Sequence, residues 1–114
     1  MTVHSSRFNA YRIMWVIVYF DLPTETKTDK KQYGLFRKNL LKSGFTMFQY
    51  SIYIRHCLSK EYADRYIRGV KNILPPKGHI VMSTLTDKQF GMMEVYHGVK
   101  QSIHDSDRPM LELF

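Results

Sequence analysis

Asp21 is the residue of this chain best placed to do chemistry. It follows directly on an eight-residue apolar run, Ile13 to Phe20, and precedes Leu22-Pro23. A run that short, rich in β-branched and aromatic side chains, is not a membrane span and predicts a strand buried on both faces. A carboxylate at the C-terminal edge of such a strand leaves the core while the sheet holds its backbone, which is where open sheets tend to place ligands. Asp before X-Pro is also an ordinary way of ending a strand, and that role alone would account for the residue.

A single carboxylate is too few for a metal cage. Magnesium takes octahedral oxygen ligation, usually one or two carboxylates with waters and substrate phosphate. If two copies pair about a two-fold axis so that Asp21 faces Asp21, one Mg²⁺ or Mn²⁺ can be held between them, with Lys and Arg around it to receive a phosphodiester. Glu25 and Asp29, in the following loop, are spare ligands, although solvation and helix capping explain them adequately. Competing patterns are missing. His4, His56, His79, His97 and His104 show no i, i+4 or short-loop pairing for zinc, and the chain has no Gly-rich phosphate loop and no Gly-X-Ser-X-Gly elbow.

The charge balance points to a polyanion. Seventeen Lys and Arg against ten Asp and Glu give +7 and a pI near 9.6, which favours salt-sensitive binding to nucleic acid. An anionic membrane surface ranks well below, because the basic residues are not gathered in one amphipathic terminal helix. A helix is predicted after the polar stretch that follows Pro23, with Thr26 and Asp29 in capping-box spacing and an end at Ser43-Gly44. Tyr33, Phe36 and Leu40 form its buried stripe, while Lys27, Lys31, Lys38 and Lys42 fall within about 60° of one another on the other side. No acid between Lys30 and Lys42 neutralises that stripe, so these lysines, with Arg37 of the same helix, are the expected contacts to a phosphate backbone.

The elements that must position these residues follow from periodicity. Residues 45–57 alternate as one half-exposed strand or as a tight hairpin of two. Ser59 caps a second helix to Leu74, with Ala63, Tyr66, Ile67, Val70 and Leu74 inward and Pro75-Pro76 as the stop. HIVMSTLT reads as a third strand region, TDKQFG as a loop and MMEVYHG as a fourth strand. The order predicts an α+β, ferredoxin-like β-α-β-β-α-β sandwich with two helices on one face of one sheet. The domain is expected over 1–97, with 1–11 a flexible extension. Residues 98–114 form a tail whose apolar LELF adds a strand to a neighbouring sheet edge. At 114 residues the core is small, so association between copies is expected. Cys57 cannot form an internal disulfide and reads as a small packing residue. The polar N-terminus lacks a signal-peptide core, so the expected compartment is the cytoplasm.

An RNA-recognition motif is a poor fit, because the segment from Ser43 to Tyr50 has Met47 where a stacking aromatic is needed and follows the first helix instead of lying on the third strand. The stretches VIVYFDLPTET, FRKNLLKSGFTMFQYSIYIRHC, TDKQFGMMEV and LELF together resemble the small CRISPR-associated endonuclease of the spacer-acquisition machinery, in the form found with type II systems. The resemblance runs over nearly the whole chain from Arg12. It implies a ferredoxin-like homodimer whose paired Asp21 carboxylates bind a divalent metal. It further implies a larger CRISPR integrase as partner, bridged by the small dimer, with captured duplex DNA along the basic surface and RNA as the other nucleic acid such proteins meet. Tyr53 matches a position where relatives carry an aromatic near the metal, and Thr46-Met47-Phe48 stands where some carry an Arg that assists cleavage. The C-terminal strand would reach the other subunit or the integrase.

The resulting expectation is a CRISPR adaptation protein that binds duplex DNA and hydrolyses phosphodiesters with Mg²⁺, Asp21 serving as metal ligand and catalytic residue. A purely architectural, non-catalytic DNA scaffold in the same complex is the first alternative, and a ligand-sensing regulatory domain the second.

Overall fold

The computed structural model describes residues 12–98. Along the chain come β1 (Met14–Asp21), α1 (Lys27–Lys42), β2 (Thr46–Gln49), β3 (Ile52–Cys57), α2 (Lys60–Lys71), β4 (His79–Thr86) and a short α3 (Asp87–Gly91). The strands form one antiparallel sheet in the order β2-β3-β1-β4. With α1 and α2 crossing between strands, this is the expected ferredoxin-like sandwich.

Strand alternation divides the molecule into two faces. Val16, Val18 and Phe20 of β1 point to the helix side, where they pack with Tyr53 and Cys57 of β3, Phe36 and Leu40 of α1, and Ala63 and Val70 of α2. Phe20 meets Phe36 edge-on at 5.2 Å between centroids. Truncating Phe36, which is 1% exposed, to alanine would cost about 3–5 kcal/mol through lost burial and the cavity left behind. Both helices begin as their caps dictate. Thr26 and Asp29 close a reciprocal capping box on α1, and the Ser59 hydroxyl accepts from the Tyr62 amide on α2. Gly44, at φ +89°, takes the left-handed position after α1.

The opposite face carries a smaller cluster of Ile17, Phe48, Ile54 and Phe90, flanked by Trp15, Leu85, Met93 and Val95. Here α3 folds back over the start of β1. Trp15 stacks on Phe90 at 4.0 Å and donates its indole N–H to Asp87 Oδ1 at 2.8 Å.

Several expectations need correction. Residues 45–57, expected as either one strand or a tight hairpin of two, are the hairpin, turned through Tyr50 and Ser51. The expected loop TDKQFG is α3, because Thr86 and Gln89 form a second reciprocal capping box. The expected strand MMEVYHG pairs with no described strand; instead Met93 and Val95 lie against the sheet face. Leu74 is not an inner-face residue. It is 45% exposed, because α2 ends at Lys71 and the helical spacing breaks there, leaving Ile73 to pack inward. The apolar run is not buried on both faces to its end either, since Tyr19 is 37% exposed. Residues 1–11, the expected extension, and the tail with LELF lie outside the described residues, except for Gly98.

Candidate active site and nucleic-acid face

The alternation that buries Val16, Val18 and Phe20 sends Tyr19 and Asp21 to the face away from the helices. The β3 and β4 neighbours on that side are Ile52, Val81 and His79, fixed by the pairings Tyr19↔Ile52, Tyr19↔Val81 and Asp21↔His79. Tyr19, Asp21, Ser51, Ile52, His79 and Val81 line an open depression of about 270 Å³. The cover formed by α3, Met93 and Val95 does not reach it. Val81 is 59% exposed there, and the Tyr19 hydroxyl hydrogen-bonds Ser83 Oγ at 3.2 Å.

Two tight turns hold the end of β1. On one side, the Phe20 amide donates to the Ser51 carbonyl at 3.0 Å, and Ser51 sits at φ +66°, a left-handed conformation costly for a residue with a Cβ. On the other, Gly78 lies at φ +96°, and a Cβ there would meet Leu22 Cδ2 at 2.5 Å and the Asp21 carbonyl oxygen at 2.7 Å. Only glycine allows this approach. The backbone of Asp21 is thereby fixed, while its exposed carboxylate enters no hydrogen bond or ion pair with a described residue.

An uncommitted, solvent-facing carboxylate on a fixed backbone is a hard oxygen donor of the kind Mg²⁺ or Mn²⁺ takes. Among the described residues no three of His, Cys, Asp and Glu gather into a metal site, so one protomer alone falls short of a cage. Glu25 is exposed in the loop after Pro23. Asp29 is committed elsewhere: its carboxylate accepts from the Thr26 amide at 3.2 Å and lies 4.0 Å from Lys77 Nζ. The Thr26 amide and, more weakly, the Lys77 charge hold Asp29 below the usual carboxylate range, with burial opposing them.

The basic residues lie elsewhere. Lys27, Lys31, Lys38 and Lys42 are all exposed, with no ion-pair partner among the described residues. They project about 180° from the Tyr33, Phe36 and Leu40 stripe that meets the sheet, and span about 22 Å along the helix axis. Arg37 is exposed, but its Nε donates to the Tyr53 hydroxyl at 2.7 Å. Tyr53 pairs with Val18 and is 1% exposed on the helix side of the sheet, so its ring packs beneath α1 on the opposite face from the Asp21 carboxylate. Lysine stripe and acid are therefore on opposite sides of the protomer. Arg55 serves structure: its guanidinium lies 4.0 Å above the Tyr66 ring and donates to the Gly44 carbonyl. Cys57 is buried, and that burial raises its thiol against a weaker pull from Arg55, as suits a packing residue.

Ser51, Gly78 and His79 belong to the setting of Asp21 and were not singled out from sequence, because strand register brings them there from two other segments. Among the described residues no helix is long and apolar enough to cross a membrane.

Comparison with known proteins identifies a family. The family described as CRISPR associated protein Cas2 matches residues 14–93. A CRISPR-associated endoribonuclease Cas2 of Flavobacterium psychrophilum is 50% identical over 111 residues, covering 97% of this chain and 96% of its own. A protein of the same description from Parvibaculum lavamentivorans is 46% identical over 101 residues, 89% of this chain and all of its own. One from Streptococcus mutans is 39% identical over 101 residues, 88% of this chain and 93% of its own.

Proposed function

The chain belongs to the CRISPR-associated Cas2 family, and on that premise we propose that it works in spacer acquisition as a homodimer joined through the open sheet faces. Its lysine-bearing helices bind duplex DNA, it bridges the larger integrase subunit, and its paired Asp21 residues support metal-dependent phosphodiester hydrolysis. The relatives are named endoribonucleases, so RNA is the first cleavage substrate to test and DNA the second.

The observation that carries this reading is the end of the sheet that no described residue covers. Apolar Val81 and Ile52 and the ring of Tyr19 surround Asp21 in a shallow depression, and a second copy seated there buries that apolar surface while bringing a second carboxylate. A bound Mg²⁺ or Mn²⁺ would supply Lewis-acid polarisation of the phosphate and a more acidic water. The two Asp21 carboxylates would hold such a cation, and the turns at Ser51 and Gly78 fix the backbone that carries them. Tyr19, tied to Ser83, walls the depression beside them.

The architectural alternative has an observation of its own in its favour. DNA lying along α1 is on the far side of the helix layer from Asp21, so a duplex bound there is not presented to the carboxylate of the same protomer. Incubating the purified protein and an Asp21→Ala variant with RNA and duplex DNA, in Mg²⁺, Mn²⁺ or chelator, separates the two. Metal-dependent cleavage that disappears in the variant supports the enzyme. No cleavage in either protein, with duplex affinity equal in both, supports the scaffold.

A further inference from the structure

Asp21 and His79 are directly opposed on the last rung of the β1–β4 ladder. Residues opposed in an antiparallel pair share a face, with Cβ atoms about 4.5–5.5 Å apart. Both are exposed and both line the same depression. The imidazole of His79 enters no hydrogen bond, ion pair or ring contact with a described residue, so packing does not account for it. Its backbone is fixed by the same device that fixes Asp21, because Gly78 immediately before it closes on the Asp21 carbonyl and Leu22. One turn thus sets a carboxylate and an imidazole side by side, both uncommitted.

We propose that His79 is a nitrogen ligand to the divalent cation held by Asp21. Each protomer then contributes one oxygen and one nitrogen donor from adjacent strands, and the two-fold assembly two of each, which supplies the ligand count that a single protomer lacks. An imidazole donor favours Mn²⁺ and later transition ions over Mg²⁺, which prefers an all-oxygen shell. The inference rests on the Asp21 metal reading above and specifies its donor set and ion preference.

The test uses the full-length protein with Mn²⁺ as the probe. Affinity is read from the decline of the free-ion electron paramagnetic resonance signal, and ligation from the nitrogen modulation of the bound ion in pulsed spectra. The wild type is expected to show nitrogen coupling and to bind Mn²⁺ at least about tenfold more tightly than Mg²⁺. In His79→Gln the coupling disappears and Mn²⁺ affinity falls by about tenfold or more, with Mg²⁺ affinity nearly unchanged. Mn²⁺ binding that depends on Asp21 but shows no nitrogen coupling, or that His79→Gln leaves at wild-type strength, overturns the ligand role and leaves the Asp21 site standing. Binding that is absent, or that Asp21→Asn does not weaken, removes both. Should His79→Gln fail to fold, the wild-type spectrum alone decides.

Discussion

The two faces of the sheet come from the same strands but are finished in opposite ways. On the helix side, Val16, Val18 and Phe20 are sealed beneath α1 and α2, and the exposed lysines of α1 stand one full helix diameter farther out. On the other side, α3 covers only the half of the sheet around Trp15 and Ile17, and no described residue covers the half around Tyr19 and Asp21. The difference separates the two proposed functions in space. The lysines proposed to bind nucleic acid sit on a self-sufficient layer, whereas the carboxylate proposed to cleave it sits on a surface that the described residues of one copy leave open. Binding and hydrolysis should therefore fail independently.

The largest effect should come from the helix side. Replacing Lys27, Lys31, Lys38 and Lys42 together with alanine removes four exposed charges from each protomer, and each phosphate left without its lysine should flatten the logarithmic salt dependence of duplex binding by about 0.9. A slope shallower by about 3 to 4 for each protomer engaged on the duplex, with affinity down about a hundredfold or more at low salt, is the expected outcome of a titration across ionic strength. Metal binding should be untouched, and a joint failure of both would merge the two faces.

Next is Val81→Asp on the open face. A charge placed in a closed apolar interface costs about 3 kcal/mol or more, so sedimentation should show a dimer weakened by about a hundredfold or more. Cleavage should fall with it although Asp21 is intact, and the lysine face of each protomer should keep its salt-dependent attraction to DNA. Retained cleavage by a monomeric variant would contradict the shared site.

Gly78→Ala sharpens the comparison within the open face. The new Cβ meets backbone oxygen and Leu22, in a left-handed conformation that alanine resists, so urea denaturation should show a destabilisation of about 2 kcal/mol. Metal affinity should drop alongside, because the same close approach positions Asp21.

The smallest effect concerns Asp29, the capping carboxylate in the first turn of α1. Asp29 has a folded pKa held below its unfolded value, so its contribution is present above the ordinary carboxylate range, about pH 4, and is lost as pH falls through the folded value. Wild-type stability should therefore decline more steeply than that of Asp29→Ala between about pH 5 and pH 2, as thermal unfolding in a buffer series would read.

Sequence and structure agree where local physics decides. The capping box at Thr26 and Asp29, the left-handed Gly44 and the inner stripe of α1 all depend on neighbours within a few residues, and each is found as expected. The strand ending at Asp21 is equally legible from its apolar run. What alternation could not decide was whether residues 45–57 turn back on themselves, because the left-handed Ser51 is not glycine and gives no turn signal. α3 was readable in principle from Thr86 and Gln89, but a five-residue helix has too little periodicity to stand out. Register is the deeper gap. That His79 opposes Asp21, and that Tyr53 pairs with Val18 beneath α1 instead of standing near the acid, depends on long-range pairing that no short stretch encodes. Family resemblance supplied the idea of paired acids, and the bare half-sheet offers a surface on which two copies can meet.

Everything proposed for Asp21 depends on two copies meeting through the open face with their position-21 side chains adjacent. Cross-linking of an Asp21→Cys variant, made in a Cys57→Ser background, with a thiol-reactive linker of about 8 Å tests it directly, since two carboxylates on one cation leave their Cβ atoms about 5–8 Å apart. Rapid, nearly complete conversion to a covalent dimer is expected, with a Lys38→Cys control staying monomeric. Failure of the Asp21→Cys variant to cross-link, or efficient cross-linking of the Lys38→Cys control instead, would contradict it.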